Sequence, residues 1–86
     1  MNNNKPIAVI ILNWNGHDLL NEYLPQVVAT TDSAVADIIV ADNGSTDNSV
    51  ELLKTKFPEV KLLQFDTNHG FAQGYNLAIE QTQYKY

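Results

Sequence analysis

The chain has 86 residues and a mass of 9.6 kDa, is 44% apolar and 17% charged, and carries a formal net charge of −5 from 5 basic and 10 acidic side chains. A chain this short holds one small domain and buries only about 60–65% of the surface its unfolded form exposes. Zero Cys excludes disulfides and thiolate metal sites and fits a reducing, cytoplasmic setting, while the acidic balance and the absence of Arg exclude a nucleic-acid surface.

The N-terminus is polar up to Lys5, and the apolar run after Pro6, residues 7–12 (IAVIIL), is too short for a signal segment or a membrane span. It reads as a strand. Its β-branched, nearly continuous apolar character is what a strand buried on both faces of a parallel sheet requires. A helical segment follows, with Leu19, Leu20, Tyr23, Leu24, Val27 and Val28 on one face and Asn15 as the expected N-cap. Pro25 interrupts that pattern, which predicts either a break near Tyr23 and Leu24 or a second helix opening at Pro25.

The second strand is read at residues 38–41 (IIVA), entered through Asp37. After a polar loop, Val50, Leu53 and Phe57 share a helix face, Asn48 stands three residues before Glu51 in a capping-box arrangement, and Pro58 ends the helix. The third strand, residues 60–65 (VKLLQF), alternates more, and its Lys61 and Gln64 place it at a sheet edge. A last helix opens after Gly70, groups Phe71, Tyr75, Ala78 and Ile79, and runs toward Tyr84. This order predicts an α/β fold: a three-layer, partial Rossmann-like unit with a parallel sheet of three strands or slightly more and flanking helices. Neither repeats nor a linker divide it.

In open parallel sheets, ligands bind beyond the carboxyl ends of the strands. Three polar clusters stand there: residues 13–16 (NWNG), 42–47 (DNGSTD) and 66–70 (DTNHG). Each alone has a structural explanation as a turn or cap. A hairpin at Asn43 and Gly44 conflicts with the helical pattern that follows, and a calcium loop fails because Gly44 occupies a ligand position and Asp47 the required glycine. No phosphate-cradling glycine motif of the P-loop or dinucleotide type is present.

Taken together, "IAVIILNWNG", "IIVADNGSTDNSVELL" and "NHGFAQGYN", in this order and spacing, resemble the nucleotide-sugar-binding half of family 2 glycosyltransferases of the GT-A fold, above all the bacterial rhamnosyltransferase-like members. The resemblance covers residues 7–79 and implies that residues 1–86 form the N-terminal part of a longer GT-A domain. It implies transfer of a sugar from a nucleoside-diphosphate sugar to a glycan or lipid-linked acceptor, with this chain contributing the nucleoside-binding half. The donor-binding residues it implies are Asn13, Asn15, Asp42, Asn43, Asp47, Asn68, Gly70 and Asn76. Asp42 would accept hydrogen bonds from the base or ribose, Trp14 would offer an aromatic face, and Gly70 would bring a helix N-terminus near the diphosphate. Asp47 has a competing structural reading as a first-turn carboxylate, and Phe71 reads as core.

The resemblance further implies a divalent cation, Mg²⁺ or Mn²⁺, whose ligands would lie outside this chain, and no catalytic residue within it. The 86-residue chain alone is then expected to be inactive, and the full-length protein cytoplasmic or peripheral to a membrane. Two other classes share the α/β order. A receiver-like signalling domain wants an acidic cluster after the first strand, where this chain has Leu12 and Asn13; a non-catalytic interaction module would self-associate through the exposed sheet edge.

Overall fold

The computed structural model describes residues 6–82. The apolar runs and helical segments alternate as β1 (Ile7–Asn13), α1 (His17–Thr30), β2 (Ala36–Asn43), α2 (Ser49–Lys56), β3 (Lys61–Phe65) and α3 (Phe71–Thr82). The three strands are parallel and ordered β1-β2-β3, with Ile11 opposite Val40 and Val40 opposite Leu62. The predicted three-layer α/β unit is therefore what forms. The expected run of the last helix toward Tyr84 lies outside the described residues beyond Thr82.

Strand alternation divides the core between the two faces. Ile38 and Val40 of β2 join Leu20, Leu24, Leu53 and Phe57 under α1 and α2, with Val9, Ile11 and Leu62 beside them. Ala41 and Phe65 pack on the other face with Ala78 of α3, flanked by Ile10, Leu12 and Leu63. The central strand is buried almost throughout, whereas β1 is mostly half-buried. The expectation for β1 is burial on both faces; among the described residues it instead pairs with β2 alone and is half-buried. The edge assignment of β3 holds, with Lys61 and Gln64 exposed.

Helix α1 corrects the prediction at Pro25. It runs unbroken through the proline, an interruption that costs about 3 kcal/mol in isolation. Leu20 and Leu24 before the proline are buried, and Val27 and Val28 after it pack against the same core, so both halves of the helix are held on the sheet. Pro25 and Asn21, whose carbonyl loses its helical donor, are both exposed, so water can serve that acceptor. The apolar face of α1 is also wider than its buried stripe: Leu19 and Tyr23 remain 63% and 52% exposed. Of the predicted caps, Asn48 stands at the N-cap position of α2 and Asn15 does not stand at that of α1. Gly16, not Asn15, precedes the first turn of α1, and Asn48 at the start of α2 makes no side-chain capping bond. No helix among the described residues is long and apolar enough to cross a membrane.

Candidate functional site at the carboxyl ends of the strands

The β2 strand extends past its apolar run to include Asp42 and Asn43, and their adjacency decides the site. Neighbouring strand residues point to opposite faces, so Asp42 turns toward the α1 and α2 side and Asn43 toward the α3 side. Both are buried, at 1% and 2% exposure.

On the first side, Asp42 Oδ1 accepts from Asn13 Nδ2 at 3.0 Å and from Ser45 Oγ at 2.7 Å, while Oδ2 accepts from Ser45 N at 3.0 Å. Ser45 Oγ in turn accepts from Asn15 N at 2.8 Å and from Asn13 Nδ2 at 3.3 Å. Asn15 sits in the left-handed region at φ 51°, a conformation Asn tolerates better than most residues. From there its Oδ1 accepts from Thr46 N at 2.7 Å and Asp47 N at 3.2 Å, which ties the loop after β1 to the loop after β2.

Asp47 completes this latch. Its Oδ2 accepts from His17 N at 3.2 Å, at the start of α1, and its Oδ1 accepts from Ser49 N and the Ser49 hydroxyl, at the start of α2. One carboxylate thus satisfies free N–H groups of two helices, the capping role the sequence pattern had assigned to Asn15 and Asn48. Partial desolvation acts to raise the Asp47 pKa. The Ser49 hydroxyl and N–H, the His17 N–H and the His17 side chain together outweigh it and hold the carboxyl below its ordinary value of 3.8.

On the second side, one amide does the joining. Asn43 Nδ2 donates to Asn68 Oδ1 and to the Gly70 carbonyl, each at 3.1 Å, and Asn43 Oδ1 accepts from His69 N at 2.9 Å. Asn68 Oδ1 also accepts from Gly70 N, so the turn into α3 closes on itself. Gly44 makes the approach of the two loops possible: at φ +78° it is left-handed, and a Cβ there would stand 2.6 Å from the Thr67 carbonyl carbon.

Seven of the eight expected donor-binding residues are therefore joined in one hydrogen-bonded end of the sheet: Asn13, Asn15, Asp42, Asn43, Asp47, Asn68 and Gly70. Asn76 lies outside that network, exposed in the second turn of α3. Ser45, to which the sequence reading gave no role, is the hub of the first side. Its signal was the Asp-x-x-Ser spacing, in which an Asp side chain accepts from the N–H three residues on. Phe71 corrects the core expectation: it is 76% exposed and meets Tyr75 edge to face at 5.0 Å between ring centres. Trp14 is 55% exposed and borders an apolar groove of about 300 Å³ between β1 and α1.

Among the described residues, no three His, Cys, Asp or Glu side chains converge on a position that could hold a metal ion. The residues at this end do not by themselves fit a divalent cation. Two of the described lysines are engaged away from this end: Lys61 pairs with Asp37 at 3.0 Å at the opposite end of the sheet, and Lys56 donates to Asn21.

The profile of the family described as "Glycosyl transferase family 2" matches residues 8–86. The chain belongs to glycosyl transferase family 2. Among family relatives, it is 35% identical over 89 residues to the "Uncharacterized glycosyltransferase YibD" of Escherichia coli (strain K12), covering 100% of this chain and 25% of that protein. It is 28% identical over 75 residues to the N-acetylglucosaminyl-diphospho-decaprenol L-rhamnosyltransferase of Mycobacterium tuberculosis, covering 87% of this chain and 24% of that one. In structure it is similar to the mannosyltransferase PcManGT from Pyrobaculum calidifontis, solved in complex with GDP-Man and Mn²⁺. That match has a TM-score of 0.73 at 21% identity and covers 91% of this chain and 24% of the other, which shows a shared fold. This family 2 chain spans about a quarter of the length of each of these proteins.

Proposed function

We propose that this family 2 chain is the N-terminal, nucleoside-binding part of a glycosyltransferase that uses a nucleoside-diphosphate sugar, the donor binding at the carboxyl ends of the three strands. The observation that carries the reading is the joining of three strand-end loops through Asp42, Ser45, Asn15 and Asn43 into one polar surface at the place where open parallel sheets bind nucleotides. The GDP-Man carried by the structurally similar mannosyltransferase and the rhamnosyl transfer named for the mycobacterial relative support the same substrate class.

Within that reading, Asn15, Asp47, Asn68 and Gly70 lie at the surface where a nucleoside can reach them, and Asn13, Asp42 and Asn43 set the loops behind them. Asp42 reaches a base or ribose directly once the Ser45 hydroxyl turns away from Oδ1, because Ser45 is the movable partner of that carboxylate. Asn76, one helical turn beyond this rim, contacts the donor only at its far end.

Transfer also requires the leaving diphosphate to be neutralised. Within this reading the Mg²⁺ or Mn²⁺ that neutralises it, and the glycan or lipid-linked acceptor, are held by other parts of the glycosyltransferase. The isolated chain then binds nucleotide weakly and does not catalyse transfer. Metal-dependent turnover of a nucleotide sugar by the 86-residue chain contradicts this. Calorimetric titration with UDP, dTDP and GDP tests the binding half: one of them binds, Asp42→Ala abolishes the signal, and Gln64→Lys, outside the network, leaves it unchanged. Unaltered binding by a folded Asp42→Ala variant refutes the role of Asp42.

A further inference from the structure

Two Asn residues of the sequence are followed by Gly: Asn15–Gly16 in the loop after β1, and Asn43–Gly44 at the end of β2. An asparagine amide is chemically least durable in this pair, because glycine leaves its backbone nitrogen unshielded and free to turn toward the preceding side chain. The fold treats the two pairs differently. Asn43 is 2% exposed, its Nδ2 is held by Asn68 Oδ1 and the Gly70 carbonyl, and its Oδ1 accepts from His69 N. Its backbone lies in the central strand opposite Phe65, so neither water nor the rotation needed for attack is available without opening the sheet.

Asn15 is exposed and held only by its latch: Oδ1 accepts from Thr46 N and Asp47 N, and its own N–H donates to Ser45 Oγ. Among the described residues, no protein acceptor holds its Nδ2, the nitrogen that would leave. In the left-handed region at φ 51° the following nitrogen points away from the residue's own side chain, so Gly16 N cannot attack while the latch is closed. Attack needs rotation about the Asn15 Cα–C bond, which pulls the side chain off Thr46 and Asp47. These bonds are few and exposed, and breaking them leaves the bonds of Asp42 to Asn13 and Ser45 in place. Such local opening takes far less free energy than opening the sheet at Asn43.

We propose that Asn15 is a site of spontaneous deamidation gated by opening of the latch, and that Asn43 is shielded from the same reaction. With the latch open, Gly16 N bonds to Asn15 Cγ and the Cγ–Nδ2 bond breaks. Nδ2 leaves as ammonia with the proton from Gly16 N, and a cyclic succinimide remains. Water then opens the ring. Addition at Cγ breaks its bond to Gly16 N and restores the ordinary main chain with an aspartyl side chain. Addition at the Asn15 main-chain carbonyl carbon breaks that carbon's bond to Gly16 N and leaves an isoaspartyl residue, whose main chain runs through Cγ. One water is consumed and one ammonia released, with no change of oxidation state. Either product sets a new carboxylate beside Asp47, and the isoaspartyl product also displaces the acceptor of Thr46 N and Asp47 N. The conversion is independent of donor binding; only the weaker hold on an anionic donor that the added charge brings rests on the function proposed above.

Incubation of the folded 86-residue chain at mildly alkaline pH, followed by peptide mapping with mass spectrometry and by labelling with an isoaspartyl methyltransferase, tests this. Asn15 converts first, mainly to the isoaspartyl product, while Asn43 keeps its amide. In guanidinium chloride both pairs convert, and Asn15 does so about ten- to a hundredfold faster than in the folded chain, the measure of how seldom the latch opens. Ser45→Ala, which removes the acceptor of Asn15 N without altering charge, speeds conversion of Asn15 in the folded chain about fivefold. Conversion of Asn43 as fast as Asn15 in the folded chain, equal rates for Asn15 in the folded and unfolded chain, a rate unchanged by Ser45→Ala, or an Asn15 amide that never converts in the folded chain would overturn the proposal.

Discussion

The two sides of the strand-end site are built by adjacent residues but on different plans. On the α1 and α2 side, Asp42, Ser45, Asn15 and Asp47 divide the joining of two loops among several side chains, each satisfying a different backbone group. On the α3 side, among the described residues, the Asn43 amide makes all the side-chain hydrogen bonds that link β2 to the loop before α3. A distributed latch loses little when one member is removed, whereas a single buried tie fails as a unit. The loop before α3 thus depends on Asn43 for its hydrogen bonds to β2, beside the edge-to-face contact of His69 with Phe65.

The largest expected break comes at the hinge between the two sides. Gly44→Ala forces a Cβ against the Thr67 backbone in a left-handed residue and costs at least about 3 kcal/mol, read from urea unfolding. Next is Asn43→Ala, which leaves buried polar groups of the α3 side without partners and costs about 2–3 kcal/mol. Its signature is selective: exchange of the His69 and Gly70 amides accelerates while Thr46 and Asp47 stay protected. Asn15→Ala removes one acceptor from the distributed side and puts Ala at φ 51°, for a loss of about 1–2 kcal/mol. A cost equal to that of Asn43→Ala would erase the contrast between the two sides.

The smallest effect is that of Asp47→Asn, and it depends on pH. Because the folded carboxyl titrates below its ordinary value, its contribution is present above about pH 4 and is lost as pH falls through the lower folded value. Denaturation between pH 3 and 6 then shows a shallower acid loss in Asp47→Asn than in the parent chain. An identical acid limb in both would remove the charge of Asp47 from the account.

Much of this was legible in the sequence wherever hydrophobic grouping carried the information. The three strands, their order and the polar clusters beyond them follow from apolar runs and turn residues. Local rules failed where tertiary partners decided the outcome. Pro25 reads as a breaker until Leu20 and Leu24 before it and Val27 and Val28 after it are seen packed on the same core. Asn15 and Asn48 have cap chemistry, but Asp47 reaches both helices because α1 and α2 start side by side, which spacing along the chain does not reveal. Phe71 reads as core by composition but is exposed beside Tyr75, whose hydroxyl reaches the β1 backbone at Leu12. Of the expected donor residues, the seven at the strand ends and in the loops after them come together, and Asn76, placed by motif on a helix, does not.

The central claim is that the hydrogen-bonded end of the sheet receives a nucleoside diphosphate. Titrating the isotope-labelled 86-residue chain with UDP, dTDP and GDP up to about 10 mM and following amide shifts tests it directly. One nucleotide is predicted to shift the amides of Asn15, Ser45, Thr46, Asp47 and Gly70 together, with a single affinity and with Lys61 and Thr31 unmoved. Saturable shifts centred on the opposite end of the sheet, or no shifts with any of the three, would contradict it.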